Sequence, residues 1–560
     1  FPIFLLCFAP WRPFADNGFG VKNSCVLKTT AIFALRPSYP ADRAEAVNGA
    51  RTSDMQRLDD RMTSDLWQTI KKRPQPTLNA LFEGDGDRAK NFSLEQAGIY
   101  FDFSKTHLDQ ATVQAFRNLA DDVELSAKTN ALLSGEAVNV SEGRAAEHCA
   151  ERGMGSPVSV ENAHALHQRM KSLIEIIDSG ALGEFTQIIH LGIGGSALGP
   201  KLLYRALKLG DEKYELEVVS NIDGTALEPV LERFVAEKTL LVIASKTFTT
   251  AETLLNAQSV LDWMREQGVA DPLGQVVALT ASPEQAVQWG IDETRILPFS
   301  ETVGGRYSLW SSIGFSVALA LGYDVFADLL AGAAAMDEHF RAAPWDRNIP
   351  VLAAFCDQYY AQARGCETRA VFAYDERLGL LPDYLQQLEM ESNGKSVTRD
   401  GEPLSLHSSP IVWGGVGTDA QHAVFQLLHQ GTHLVPVEFL AVIEPGDSLD
   451  PAHHNGLLLN CFAQGAALMG GKKSDDSHRN YPGDRPSVTI LLEELEARSL
   501  GALLAFYEHR TFVNAALLNI NPFDQFGVEL GKQMANTLSA NDGTRLDAST
   551  EELKKRAFGT

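Results

Sequence analysis

The chain has 560 residues, 44% of them hydrophobic, with a formal net charge of −24 and a pI near 5.0. That apolar content over that length buries large cores and predicts two or three domains. The acidic balance argues against nucleic acid or an anionic membrane as main partner, since either polyanion would be repelled, so any phosphate must meet a local positive site. No uncharged apolar run reaches the roughly 18 residues that a membrane span needs, so no membrane part is expected.

The amino end, FPIFLLCFAPWRPF, is apolar enough to look like a signal sequence, yet it lacks a basic leading region and a clear A-x-A site. It opens on Phe, with Met55 and Met62 as alternative starts, so residues 1–61 are expected to be an extension without assigned function. Six cysteines (Cys7, Cys25, Cys149, Cys356, Cys366, Cys461) are scattered with no C-x-x-C pair, which suits a reducing compartment and neither a disulfide scaffold nor zinc. Cytoplasm is the expected location.

Residues 63 to about 150 read as helical and polar, as in SDLWQTIKKR and ATVQAFRNLADDVEL. From about 185 short β-rich runs alternate with helical patterns: QIIHLGI, ELEVVSNID, TLLVIAS, QVVALTAS and RILPFS. A second set follows in RAVFAY, SPIVWGG, HLVPVEFLAVI and SVTILLEEL. Alternation of this kind is the pattern of doubly wound parallel sheets, so two α/β domains are expected, divided near 320–345, with a polar helical arm at the close.

The stretch FTQIIHLGIGGSALGP satisfies G-x-G-x-x-A through Gly192, Gly194 and Ala197, a loose dinucleotide fingerprint for which Asp223 could supply a ribose contact. A plain tight turn fits it too. The next segment, SKTFTTAET, crowds Ser245, Thr247, Thr249 and Thr250 around Lys246 at a helix start, where hydroxyls, free N–H groups and the helix dipole bind a phosphate dianion well and the Lys246 ammonium is placed to add charge. The plainer reading is a capping box, Thr249 as N-cap with Glu252 three residues on. In VGGRYSLWSS two glycines let a backbone come close while Arg306 projects a guanidinium able to stabilise a developing enolate oxygen, or merely ties down a loop. QQLEMESNGKS carries Glu389 and Glu391 before an Asn393-Gly394 turn, with Glu391 placed as a general base or as a surface carboxylate. GTDAQHAVFQLLHQGTH puts His422 and His429 on one helix face without a metal-ligand spacing, and His453 and His454 carry no more. FDQFGVELGKQMA sets Gln525 and Lys532 about an acidic turn, where a surface Lys532–Glu529 pair is the bland alternative.

Together and in this order, GIGGSALGP, SKTFTTAET, VGGRYSLWSS, MESNGK, GTDAQHAVFQLLHQGT and FDQFGVELGKQ closely resemble the glucose-6-phosphate isomerase (phosphoglucose isomerase) family from about 63 to 545, and NVSEGRAAEH at 139–148 is similar to a further segment. Two departures are small: Ala197 stands where many members have Asp, and FSETVGGR differs from the usual aromatic-rich lead-in. The resemblance implies an α/β fold of two doubly wound sugar-isomerase αβα domains with parallel-rich sheets. Their expected spans are 151–325 and 326–545, with a helical part over 62–150 packing on the second domain and a tail at 546–560.

It further implies a homodimer with shared active sites and a hexose 6-phosphate substrate. The phosphate would sit against Ser245, Lys246, Thr247 and Thr250, beside Gly195 and Ser196, with Gly305 also lining the substrate. Ring opening falls to His422 from the neighbouring subunit, with Lys532 at the ring oxygen and Glu252 orienting the imidazole; Gln387 and Gln525 position the open chain. Glu391 would carry the proton between C1 and C2 through a cis-enediolate whose charge Arg306 offsets. With no net oxidation, neither metal nor redox cofactor is expected.

Overall fold

Two parallel-rich sheets form where β-rich apolar runs alternate with helical segments. The computed structural model describes residues 63–540 and 546–559; the extension expected over 1–61, with Cys7 and Cys25, lies outside them. Four further cysteines are free and buried.

In chain order the strands are β1 (Ser93–Gln96), β2 (Ile99–Asp102), β3 (Gln187–Leu191), β4 (Glu215–Val219), β5 (Thr239–Ala244), β6 (Val276–Thr280), β7 (Ile296–Pro298), β8 (Thr368–Tyr374), β9 (Ile411–Val416), β10 (Val437–Val442) and β11 (Ser487–Leu492). One sheet has the order β4-β3-β5-β6-β7 and is parallel throughout. The other runs β1-β2-β11-β10-β8-β9, with β8 to β11 parallel and the β1–β2 pair joined antiparallel to β11. The inner strands are buried along their whole length, as TLLVIA in β5 and VEFLAV in β10 are, because helices cover both faces. The fold class is the expected one. One local reading fails: β1 and β2 lie inside the stretch read as helical, because β1 (SLEQ) is four residues long, largely polar and at a sheet edge, and carries no alternation to detect.

Behind the second sheet, against β2, runs helix Ala497–Leu518, of which every residue but Arg498 is buried. It packs on helix Tyr323–Ala342 through two glycines: a Cβ on Gly332 would stand 1.8 Å from the Arg498 carbonyl oxygen, and one on Gly501 2.0 Å from that of Leu329. Its buried Glu508, His509 and Arg510 are charged or polar and so need partners. Arg152 bridges Glu508 (2.6 Å) and Asp337 (2.8 Å), and His509 bonds Asp337 (2.6 Å). Arg510 bridges Asp357 and Glu438, and Arg369 holds Glu389. No described helix is long and apolar enough to cross a membrane.

Burial holds His107, His190 and His339 neutral, with values lowered to about 4; Arg364 adds to the lowering at His107 and His509 to that at His339. Lowered folded-state values mean that the unfolded chain binds more protons between about pH 4 and 6.5, so stability is complete above that window and falls as pH descends through it. Thermal unfolding followed by circular dichroism should show a melting temperature that drops steadily from pH 6.5 to 4.5; a flat profile contradicts this account.

Candidate active site

In the first sheet β4 and β5 lie on opposite sides of β3, so the chain reverses its direction of winding between β3 and β5, and ligands in such sheets bind at the carboxyl ends of strands flanking that point. Both motifs with phosphate chemistry leave those ends. After β3 comes the glycine turn, with Gly194 at φ 58° capping helix Gly195–Leu207. His190 supports the turn from below: the Ser196 carbonyl can only accept, so Nε2–H donates to it (2.7 Å) and Nδ1 accepts from Ser316 (2.7 Å). A Cβ on Gly195 would meet the Gly305 carbonyl oxygen at 2.0 Å, and one on Gly194 would meet Gln387 Nε2 at 2.8 Å. The absence of side chains at these two positions therefore lets Gly305-Arg306 and Gln387 close on the turn.

After β5, Ser245 and Thr250 share a hydrogen bond (3.1 Å), as do Thr247 and Thr249 (2.8 Å). Among the described residues no carbonyl accepts from the backbone N–H groups of Lys246, Thr247, Thr249 or Thr250. Phe248 takes a left-handed φ of 53°, a strain of about 1–3 kcal/mol for such a residue, while its ring is 3% exposed and packs edge-on against Trp289 at 6.0 Å. Anchoring that ring inward turns the flanking hydroxyls and N–H groups outward. Helix Ala251–Glu266 starts one residue later than expected, with Thr250 as N-cap and no side-chain cap bond, so the Thr249–Glu252 capping box is not formed. The Lys246 side chain is also aimed elsewhere: Nζ donates to the carbonyls of Glu301 (2.8 Å) and Val303 (2.9 Å). Burial, with Arg144 nearby, lowers its value to about 8, and what Lys246 offers the loop is its backbone N–H. Asp223, the carboxylate on which a ribose reading depends, caps helix Gly224–Arg233 instead, accepting from Thr225 N–H at 3.0 Å.

Arg306 joins this region to the second sheet. It is 2% exposed; Nε donates to Ser392 Oγ (2.7 Å), Nη1 to Gln525 Oε1 (3.0 Å), and Nη2 to the carbonyls of Pro522 and Asp524. Four of its five N–H donors are thus used, and the remaining one is on Nη1, the nitrogen 3.7 Å from Glu391 Oε2. Glu391 ends a π-helical turn, Gln386–Glu391, that also carries Gln387; π turns recur at functional sites because they re-aim side chains. Gln387, Met390, Glu391, Lys395, Asp524 and Gln525 line one cleft of about 730 Å³.

Sequence reasoning passed over the residues that tie this cleft together. Lys395 pairs with Asp524 (2.8 Å), and Asp524 accepts from Ser141 (2.6 Å) and Asn521 (2.9 Å). Tyr307 bonds Ser392 (2.9 Å) and stacks on His148 at 4.6 Å. Lys395, Ser141 and His148 stood inside quoted motifs, but nothing in a linear pattern marks their partners. Of the expected residues, Gln387, Glu391 and Gln525 line this cleft, and His422, Lys532 and Glu252 are not among its lining. His422 is exposed on helix Asp419–Gln430, Lys532 is exposed on helix Glu529–Ala540, and neither makes a hydrogen bond or ion pair with the other site residues or with Glu252. The Lys532–Glu529 pair is not formed among the described ion pairs. His429 bonds Gln464 (2.9 Å) and His454 the Ile443 carbonyl (2.6 Å), both structural uses.

The phosphoglucose isomerase family model matches residues 102–553. The chain belongs to that family. Among curated relatives, the glucose-6-phosphate isomerase of Rhizorhabdus wittichii is 62% identical over 493 residues, covering 88% of this chain and 99% of its own, and that of Sphingopyxis alaskensis is 61% identical over 500, covering 89% and 99%. A crystal structure of a glucose-6-phosphate isomerase from Chlamydia trachomatis superposes with a TM-score of 0.82 at 30% identity, over 89% of this chain and 99% of that one. The matched span of this phosphoglucose isomerase family member includes strands β3 to β11 of both sheets and, of the β1–β2 pair, only Asp102.

A lysine at 306 keeps the charge but presents three donors where a planar fork now meets four acceptors. Arg306→Lys should lower stability by about 1–3 kcal/mol through carbonyls left unmet. Amide exchange over residues 521–525 should rise, and unchanged exchange there would show that Arg306 does not hold this loop.

Proposed function

We propose that the chain is an aldose–ketose isomerase that interconverts D-glucose 6-phosphate and D-fructose 6-phosphate, serving glycolysis and gluconeogenesis. The observation that carries this reading is the meeting of Arg306, Glu391 and Gln525 at one cleft, joined through the Gly194–Gly195 close approach to a donor-rich loop at the switch point of the neighbouring sheet.

In this reading the phosphate dianion lies against the hydroxyls and N–H groups of Ser245, Lys246, Thr247 and Thr250, with Gly195, Ser196 and Gly305 alongside. Holding it there supplies binding energy remote from the reacting carbons, which orients them. His422 and Lys532 open the ring, with Glu252 orienting the imidazole, and Gln387 and Gln525 hold the open chain. The Glu391 carboxylate takes the proton from C2 of the aldose; the electron pair moves into the C1–C2 bond and leaves an enediolate. Returning the proton to C1, with transfer of the hydroxyl proton from O2 to O1, completes the ketose. The fifth donor of Arg306 faces the negative charge that develops beside Glu391.

Exposure of His422, and of Lys532 on a helix whose residues are all exposed or partly so, supports a homodimer in which these groups are completed across subunits. Phe526, Val528, Leu530 and Met534 expose apolar surface along the same stretch, as an interface helix would. We place the enzyme in the cytoplasm, in keeping with its free buried cysteines.

The test is conversion of fructose 6-phosphate to glucose 6-phosphate, coupled to glucose-6-phosphate dehydrogenase and NADP. Turnover should survive EDTA. Glu391→Gln should cut kcat by about 10²–10⁴-fold, the range for a general base, with substrate binding retained; near-normal turnover would remove Glu391 from that role.

A further inference from the structure

Two charged residues of the cleft wall, Lys395 and Asp524, have no part in the chemistry above and are bonded to one another and to the chain around them. Lys395 Nζ donates to Asp524 Oδ1 (2.8 Å), to the Asp524 carbonyl (2.7 Å) and to the carbonyl of Glu391 (3.1 Å), which accounts for all three ammonium hydrogens. Asp524 Oδ2 accepts from Ser141 (2.6 Å) and Asn521 (2.9 Å), and Nη2 of Arg306 shares the Asp524 carbonyl at 3.1 Å. The two side chains are 15% and 12% exposed, so the pair is screened far less than a surface ion pair. Burial alone would raise Asp524, yet Lys395 and Ser141 hold it below the usual carboxylate range.

We infer that Lys395 and Asp524 form a positioning pair for the open-chain step, one ammonium clamping the residue that bears the base to the residue that precedes Gln525. The inference rests on the reading of Glu391, Arg306 and Gln525 given above. Lys395 has no donor left for substrate, and both residues act by fixing where the carboxylate of Glu391 stands relative to Arg306 and Gln525. The phosphate loop belongs to β5 and helix Ala251–Glu266, and no bond of the pair reaches it. Loosening the clamp therefore disturbs proton transfer and leaves phosphate binding in place.

The experiment compares wild type, Lys395→Met, Asp524→Asn and the double variant. The readouts are kcat and KM in the coupled assay, and Kd for two probes: a five-carbon sugar-acid phosphate, whose carboxylate mimics the enediolate, and the corresponding sugar-alcohol phosphate. Each single variant should lose about 10–100-fold in kcat, as for groups that orient a reacting residue, with KM within about threefold. The sugar-acid phosphate should weaken by a similar factor and the sugar-alcohol phosphate by no more than about threefold. The double variant should be no worse than the worse single, since a pair acts as one unit. Unchanged kcat, additive losses, equal weakening of both probes, or a lower melting temperature with normal kcat would each overturn the inference. If Lys395→Met and Asp524→Asn do not fold, Ser141→Ala removes one donor to Asp524 and leaves the ion pair, and undiminished kcat there overturns it equally. A wild type that lacks turnover defeats the functional reading instead, and the pair is then judged on the two probe affinities.

Discussion

Arg306 sits where water is nearly absent, and a guanidinium taken out of water must have its donors met or it destabilises the fold by several kcal/mol. Its acceptors come from two places far apart in sequence: Ser392 after the π turn, and the 522–525 loop, through the carbonyls of Pro522 and Asp524 and the side-chain amide of Gln525. Satisfying one buried cation therefore draws two distant segments to the loop that carries it. Its own position is set in turn by Gly305, whose carbonyl can approach the glycine turn only because Gly195 has no side chain.

The same logic, buried charge demanding partners, operates behind the cleft. Helix Ala497–Leu518 carries Glu508, His509 and Arg510 in succession, so their side chains leave the helix in different directions and reach different neighbours. Arg510 meets Asp357 and Glu438, and Glu438 also faces Arg369, which holds Glu389 two residues before Glu391. Glu508 meets Arg152 and the indole N–H of Trp310 (2.8 Å), four residues after Arg306. The helix thus backs both the π turn and the arginine loop, and its close glycine contacts with helix Tyr323–Ala342 leave it little freedom to shift.

How much of this could be read in the chain follows from the range of each interaction. The inner strands were legible because burial on both faces writes a continuous apolar run, and the glycine turn, the hydroxyl loop, Arg306, Glu391 and Gln525 were legible as local motifs. The β1–β2 pair was not, since short edge strands with polar residues resemble helix surface. The aim of the Lys246 side chain was hidden because its acceptors lie 55 and 57 residues away. Lys395 and Asp524 are 129 residues apart, and only the folded chain shows that each is the other's counter-ion.

The hydroxyl loop has a consequence for how an anion there responds to solution conditions. Its donors are neutral hydroxyls and backbone N–H groups, and its lysine ammonium faces the 301–303 carbonyls instead. Neutral donors neither gain nor lose protons across the physiological range and attract through short-range dipoles, which dissolved ions screen weakly compared with a charge acting at a distance. A protein of net charge −24 can in this way hold a dianion without a cationic patch on its surface. Selectivity then falls to donor geometry, which a phosphate with three oxygens can match and a chloride ion, however concentrated, cannot.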